Sequence, residues 1–164
     1  MRIAEIIDEL ELTATSHDEQ VGADLRGRYD VRFWIAPGHG ARVGERRLGE
    51  QLGQAATALL RARAEAIGRA KNLTGTRAAR TEGSTDVEGF KDALERTTVE
   101  ASSPDGLVTV RAIGPAHVTF EVRAGAIAEH GQDEVARAAT EAARAGIPHL
   151  VGEVRRLRRD FYRG

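Results

Sequence analysis

Thr98 to Gly131 reads TVEASSPDGLVTVRAIGPAHVTFEVRAGAIAEHG. Val99 and Ala101 alternate with polar residues, as do Val108, Val110 and Ala112, and then Val118, Phe120 and Val122. A period of two puts these side chains on one face, so the stretch predicts three short antiparallel strands with a single apolar side. Pro104-Asp105-Gly106 and Gly114-Pro115-Ala116 are the turns between them. Glycine supplies a positive φ there and proline pre-sets a negative one. A helix is expected from near Gln132, after a glycine-bounded loop.

Toward the N-terminus, Ile3, Ile6, Ile7 and Leu10 have the spacing of a short amphipathic helix within Met1 to Leu10. Leu12 to Ser16 alternates as a strand, followed by strands carrying Val21, Ala23 and Leu25, then Val31, Phe33 and Ile35. Pro37 to Gly44, PGHGARVG, reads as a loop. From Glu45 to about Asn72, Leu48, Leu52, Ala55, Leu59, Ala62 and Ala66 form a helical stripe. Thr74 to Ser84 has no apolar period and reads as a linker. Thr85-Asp86-Val87-Glu88 fits a capping box opening a second short helix, with Val87, Phe90 and Leu94 on its apolar face. The final helix carries Val135, Ala139, Ala142 and Ile147. Pro148 predicts a kink or break near Gly146-Ile147, because proline lacks an N–H and crowds the preceding turn. Leu150, Val154, Leu157 and Phe161 then resume the stripe.

Each element of the first half has a counterpart 87 residues later, without a gap. Between residues 14 and 58 there are thirteen identities, among them Ser16 with Ser103, Asp18 with Asp105, Gly27 with Gly114, Phe33 with Phe120 and Gly44 with Gly131. Chance at ordinary residue frequencies would give roughly three. Similar helix composition explains the alanine matches, but not turn glycines, turn aspartates and strand cores in register. The expected fold is therefore α+β, with two copies of a helix–three-stranded antiparallel sheet–helix unit forming a pseudo-two-fold pseudo-dimer. Residues 1–73 are the first repeat, 74–84 the linker and 85–164 the second repeat. One such unit has a thin apolar face and open sheet edges, which a covalent partner would cover.

The totals restrict the function classes. A chain of 164 residues is long enough to bury a core. With aromatics at 4%, that core is mostly aliphatic. The absence of cysteine excludes disulfides and thiolate metal sites and fits a cytosolic setting. The N-terminal MRIAEIIDELE has acids within its apolar stretch and is not expected to be a signal peptide. No apolar run has the length of a membrane span. The net charge is −1, so the chain is not basic throughout. Its positive charge is concentrated instead, with nine Lys and Arg against three acids from Arg42 to Arg80, and five Arg against two acids from Glu153 to Gly164.

Three kinds of candidate site stand out. Gly38-His39-Gly40-Ala41-Arg42-Val43-Gly44 lies between a strand and a helix, as a pyrophosphate cradle does. It lacks the surrounding βαβ unit, and its counterpart carries Ile127 in place of Gly40, so the shared glycines read as turn requirements. His17, His39, His117, His130 and His149 are scattered over turns, loops and a strand end, without ligand spacing, and read as exposed loop histidines. No catalytic, metal or cofactor constellation is expected. The basic residues remain: Arg61, Arg63, Arg69 and Lys71 on the first long helix, Arg77 and Arg80 in the linker, and Arg155, Arg156, Arg158 and Arg159 on the last helix. These can neutralise phosphates, or they can be the solvated faces of arginine-rich helices. No aromatic interleaving indicates base stacking, and Trp34 stands alone on its strand.

VEASSPDGLVTVRAIGPAHVTFEV, Val99 to Val122, followed by an alanine-rich helix, resembles the YbaB/EbfC family of small bacterial nucleoid-associated proteins. LTATSHDEQVGADLRGRYDVRFWI, Leu12 to Ile35, resembles it more faintly. The resemblance implies a dimeric helix–sheet–helix fold and sequence-tolerant DNA binding by charged helix residues. This chain departs from the family pattern in being a tandem fusion and in its short first helix. The expectation is a non-enzymatic, nucleoid-associated protein of the cytoplasm that contacts the phosphate backbone of double-stranded DNA. It would be a monomeric pseudo-dimer or self-associate further. The alternative is a protein–protein interaction or chaperone-like accessory module, such as a secretion-associated partner, with the fold kept and DNA binding lost. A third reading is a nucleotide-binding enzyme that uses the glycine loop.

Overall fold

Strand alternation and turn chemistry build two sheets of the same design. The structure, a computed structural model, describes residues 2–73, 87–114 and 116–162. Strands β1 (Glu11–Thr15), β2 (Val21–Arg26) and β3 (Asp30–Ile35) form one antiparallel sheet in that order. Strands β4 (Thr98–Ser102), β5 (Val108–Ile113) and β6 (His117–Val122) form the other. Every strand of the second sheet begins and ends 87 residues after its counterpart. The registers agree as well, with Ala14 opposite Ala23 and Ala23 opposite Phe33, against Ala101 opposite Val110 and Val110 opposite Phe120.

The first turn of each sheet is locked in the same way. Ser16 Oγ donates to Asp18 Oδ1 at 2.7 Å and accepts from the Val21 N–H at 3.2 Å. Ser103 makes the same bonds to Asp105 at 2.7 Å and from Val108 at 3.1 Å. Both serines are buried and fully engaged, so they serve the turns.

Five helices complete the described residues. Helix α1 (Ile3–Asp8) precedes the first sheet, and α3 (Val87–Arg96) precedes the second. Helix α2 (His39–Leu73) follows β3. After β6 come α4 (Ala126–His130) and α5 (Gln132–Phe161). The two glycine-bounded segments expected as loops are thus short helical turns. Gly44 (φ 80°, ψ 171°) interrupts α2 as Gly131 (φ 82°, ψ 160°) separates α4 from α5. A side chain is strained in that conformation, which accounts for glycine at both positions. The break expected near Gly146-Ile147 is absent, since α5 runs through Pro148 as one helix. Gly146 is buried against Ala101 and Val110, so packing on the second sheet holds the turn before the proline. The linker 74–84 and the start of the expected capping box lie outside the described residues.

The long helices cross between the halves. Helix α2 packs on β1 and β2 and also on β6, whereas α5 packs on β4 and β5 and also on β3. One core results, drawing Val21, Leu25, Phe33, Leu48 and Leu52 together with Val108, Phe120 and Val135. Phe33 and Phe120, equivalent by the 87-residue offset, meet edge-on with centroids 5.1 Å apart. Other cross-contacts are made twice with the halves exchanged. Gln132 Oε1 accepts from the Gly40 N–H at 2.9 Å, and its counterpart Glu45 accepts from the Ile127 N–H at 3.3 Å.

The free edges of β3 and β6 are covered by these crossings. Thr140 Oγ1 accepts from the Phe33 N–H at 2.9 Å, and Arg144 Nε donates to the Val31 carbonyl at 3.2 Å. On the other side, Thr57 Oγ1 bonds both the N–H and the carbonyl of Val118, at 3.3 and 3.4 Å. Gly49 and Gly53 bring the α2 backbone directly onto β6. A Cβ on Gly49 would lie 2.7 Å from the Phe120 carbonyl oxygen, whereas one on Gly68 would meet nothing within 4 Å. Gly49→Ala is therefore expected to destabilise the protein by about 1–3 kcal/mol through overpacking. Gly68→Ala should be neutral or stabilise it by up to about 1 kcal/mol through helix propensity. Urea unfolding midpoints of the two variants against the parent check both signs.

Candidate nucleic-acid interface

The ten basic residues expected to contact phosphate fall into distinct settings. Arg155, Arg158 and Arg159 are exposed near the end of α5 and form no ion pair among the described residues. At about 100° per residue they share one face, with the buried Leu157 on the opposite side. Arg156 is also exposed, but Glu153 at 2.8 Å and Asp160 at 3.5 Å pair with it. Its hydrogen bond to Glu153, with the charge of that carboxylate, raises its pKa and keeps it locally neutralised.

Helix α2 does not gather its basic residues on one face. Arg61 lines a cleft of about 910 Å³ between α2 and β6. Arg63 points elsewhere, with its guanidinium 5.7 Å from the centroid of the Tyr29 ring and its Nε buried without a hydrogen-bond partner among the described residues. Arg69 is exposed and without an ion pair among the described residues, and Lys71 is exposed further along. Arg77 and Arg80 lie outside the described residues. Arginines over the rest of the surface are commonly paired: Arg28 with Asp8, Arg111 with Glu100, Arg123 with Glu129, Arg137 with Glu134 and Glu141, and Arg144 with Asp30. Arg26, Arg32 and Arg42 are also exposed without an ion pair among the described residues, so what sets the trio on α5 apart is that its three cations share one helix face.

One feature was hidden in the sequence. Tyr29, in the β2–β3 turn, lines a pocket of about 390 Å³ together with Arg144, Ile147, Pro148, Val151, Gly152 and Arg155 of α5. Nothing in the spacing of these residues brings position 29 to position 155. The only available signal was an aromatic at a turn, where an apolar ring has no local partner.

His39 corrects the expectation of exposed histidines. It is 3% exposed, while His17, His117, His130 and His149 are exposed as expected. The Gln51 amide donates to Asp18 Oδ2 at 2.6 Å, so its Oε1 accepts from His39 Nε2, also at 2.6 Å. Burial of the ring is thus matched by a hydrogen-bonded chain to the turn carboxylate. The glycine loop carries no open cradle at Gly40, whose N–H is taken by Gln132. Among the described residues no group of three or more His, Asp or Glu side chains could hold a metal ion. No helix of the described residues is long and apolar enough to cross a membrane.

Comparison of the chain with protein-family models, with curated proteins and with solved structures found no match.

The Asp18 network has a measurable consequence. The Ser16 hydroxyl, then the Gln20 N–H, the Gln51 amide and the nearby His39, hold the Asp18 carboxyl down from its ordinary 3.8 to about 2, against a smaller opposing effect of burial. Asp105 is lowered as well, chiefly by Ser103. A value depressed by folding means stabilisation that is present above the unfolded value and lost as pH falls through the folded one. Asp18→Asn is expected to be less stable than the parent at pH 7, and the gap should close as pH falls from about 4 toward 2. Thermal unfolding of both proteins across that range tests it.

Proposed function

We propose that this chain is a non-enzymatic DNA-binding protein that holds duplex DNA by its phosphate backbone with little sequence preference. The observation that carries the reading is the Arg155, Arg158 and Arg159 trio: three exposed cations on one helix face with no counter-charge among the described residues. Phosphates supply the missing counter-charge, and contacts of this kind fix position without reading bases.

The same reading treats the molecule as a tandem, pseudo-two-fold relative of the YbaB/EbfC fold acting at the nucleoid. It is supported by strand bounds that recur at 87 residues, by Phe33 meeting its equivalent Phe120, and by the reciprocal Gln132–Gly40 and Glu45–Ile127 contacts. A residue touching its own equivalent is what a two-fold axis requires of the residues lying on it.

A second reading, a protein-interaction module, is favoured by the cleft between α2 and β6. Gly49, Gly53, Val118, Phe120 and Val122 line it, with Glu45, Glu50, Glu121, Arg46 and Arg61 also in its wall. Mixed charge around an apolar floor suits a polypeptide better than a polyanion.

Salt separates the two readings. Three phosphate contacts predict a fall in duplex affinity of about 40-fold between about 50 and about 200 mM salt, measured by fluorescence anisotropy. Replacing Arg155, Arg158 and Arg159 by alanine should weaken binding alike for unrelated sequences and reduce the log–log salt slope by about 2.7. Duplex binding with no salt dependence, or none at about 50 mM, would sink the backbone reading.

A further inference from the structure

The pocket at Tyr29 has a composition that backbone neutralisation does not explain. Its floor is apolar and belongs to one face of α5, comprising Ile147, Pro148, Val151 and the bare backbone of Gly152. Tyr29 stands against that floor at 42% exposure, an unusual position for a large ring at a hairpin turn unless a face of it is used. Arg63 sits over the ring and is not part of the pocket lining, so the ring is braced by a cation while it contributes to the pocket. Arg144 is fixed by Asp30 and by the Val31 carbonyl, and therefore acts as a wall. Arg155 has no counter-charge among the described residues and borders the same space. One aromatic ring, an apolar floor and one unneutralised arginine suit a flat apolar ring that carries an anion nearby.

We propose that this pocket takes an unpaired nucleotide of DNA, its base stacked on Tyr29 and its phosphate on Arg155. The proposal deepens the DNA-binding reading and rests on it. The volume, about 390 Å³, lies toward the lower end of small-ligand pockets and admits one nucleotide, not a duplex. Arg158 and Arg159 continue the same face of α5 away from the pocket, about one turn beyond Arg155. A strand whose end is unpaired could seat its last base in the pocket while the adjoining phosphates follow the arginines. Stacking on an aromatic ring is tolerant of sequence, as the remainder of the interface is. The substrate class is then a duplex with an unpaired end or a single-stranded gap, in preference to a blunt duplex.

Fluorescence anisotropy at about 50 mM salt compares a blunt duplex with the same duplex carrying a five-nucleotide single-stranded overhang. The overhang should bind about tenfold more tightly. Tyr29→Phe should keep that preference, and Tyr29→Ala should abolish it while blunt-duplex affinity stays within about twofold. Gly152→Leu offers an independent route, because Gly152 lines the pocket and a Cβ there meets nothing within 4 Å, so the larger side chain starts from open space. It too should remove the preference. Equal affinity for blunt and overhanging DNA, or a preference that survives both Tyr29→Ala and Gly152→Leu, overturns the pocket assignment while the backbone reading stands. Failure to bind either DNA overturns both.

Discussion

The free edges of β3 and β6 set the architecture. The central strands β2 and β5 are paired on both sides, but β3 and β6 each have one neighbour. Burying such an edge unpaired would cost about 1–3 kcal/mol for every orphaned group. Neither half can cover its own edge, because its long helix crosses to the strand of the other. Helix α5 meets β3 with Thr140, Arg144 and Gln132, the last donating to the Ile35 and Ala36 carbonyls at 3.3 and 2.9 Å. Helix α2 meets β6 with Thr57 and with the backbone that Gly49 and Gly53 expose. The common core and the Phe33–Phe120 contact follow from these two crossings.

The crossings also decide where charge can remain unpaired. Helix α5 has 30 residues, so it is about 45 Å long, more than twice the length of a six-residue strand. Only its first part lies against the sheets. Beyond them it gains α3, whose Phe90 packs on Phe161 and Tyr162 with centroids 6.4 and 5.2 Å away. The other face of these last turns meets no described element, and the arginine trio sits there. At the end of α2, Leu73 is 86% exposed, so the two helix ends are alike in having one face without cover among the described residues.

Local physics made much of the fold legible. Strand positions followed from the period-two pattern, because each sheet is apolar on one face only. The turns followed from Asp105, Pro104 and glycines with positive φ such as Gly27, Gly106 and Gly114. Tertiary packing decided what was misread. Burial of His39 depends on Gln51, twelve residues on and beyond the break at Gly44, which carries no signal of its own. Pro148 failed to end α5 because its helix is clamped on the second sheet through Gly146. At the candidate interface, the arginines were legible as residues, but their partners were not. Arg156 is separated from Arg155 by its two carboxylate neighbours at i−3 and i+4, and Arg63 by a ring from another element.

The most informative differences between the halves lie where they meet. Gly49 and Gly53 correspond to Ala136 and Thr140, Thr57 to Arg144, Arg61 to Pro148, and Tyr29 to Ala116. In a homodimer every interface substitution appears twice, so a residue must suit both copies of the contact. On the proposed duplication, fusion removes that restriction. One crossing could then keep its glycines and an open cleft beside β6, while the other took a threonine and an arginine that bind the β3 edge directly. Closing the second edge in this way fixes Arg144 and leaves the α5 face beyond it lined by Pro148, Val151 and Gly152 opposite Tyr29. The pocket is built from positions at which the halves differ, with Tyr29 and Pro148 where the other half has Ala116 and Arg61.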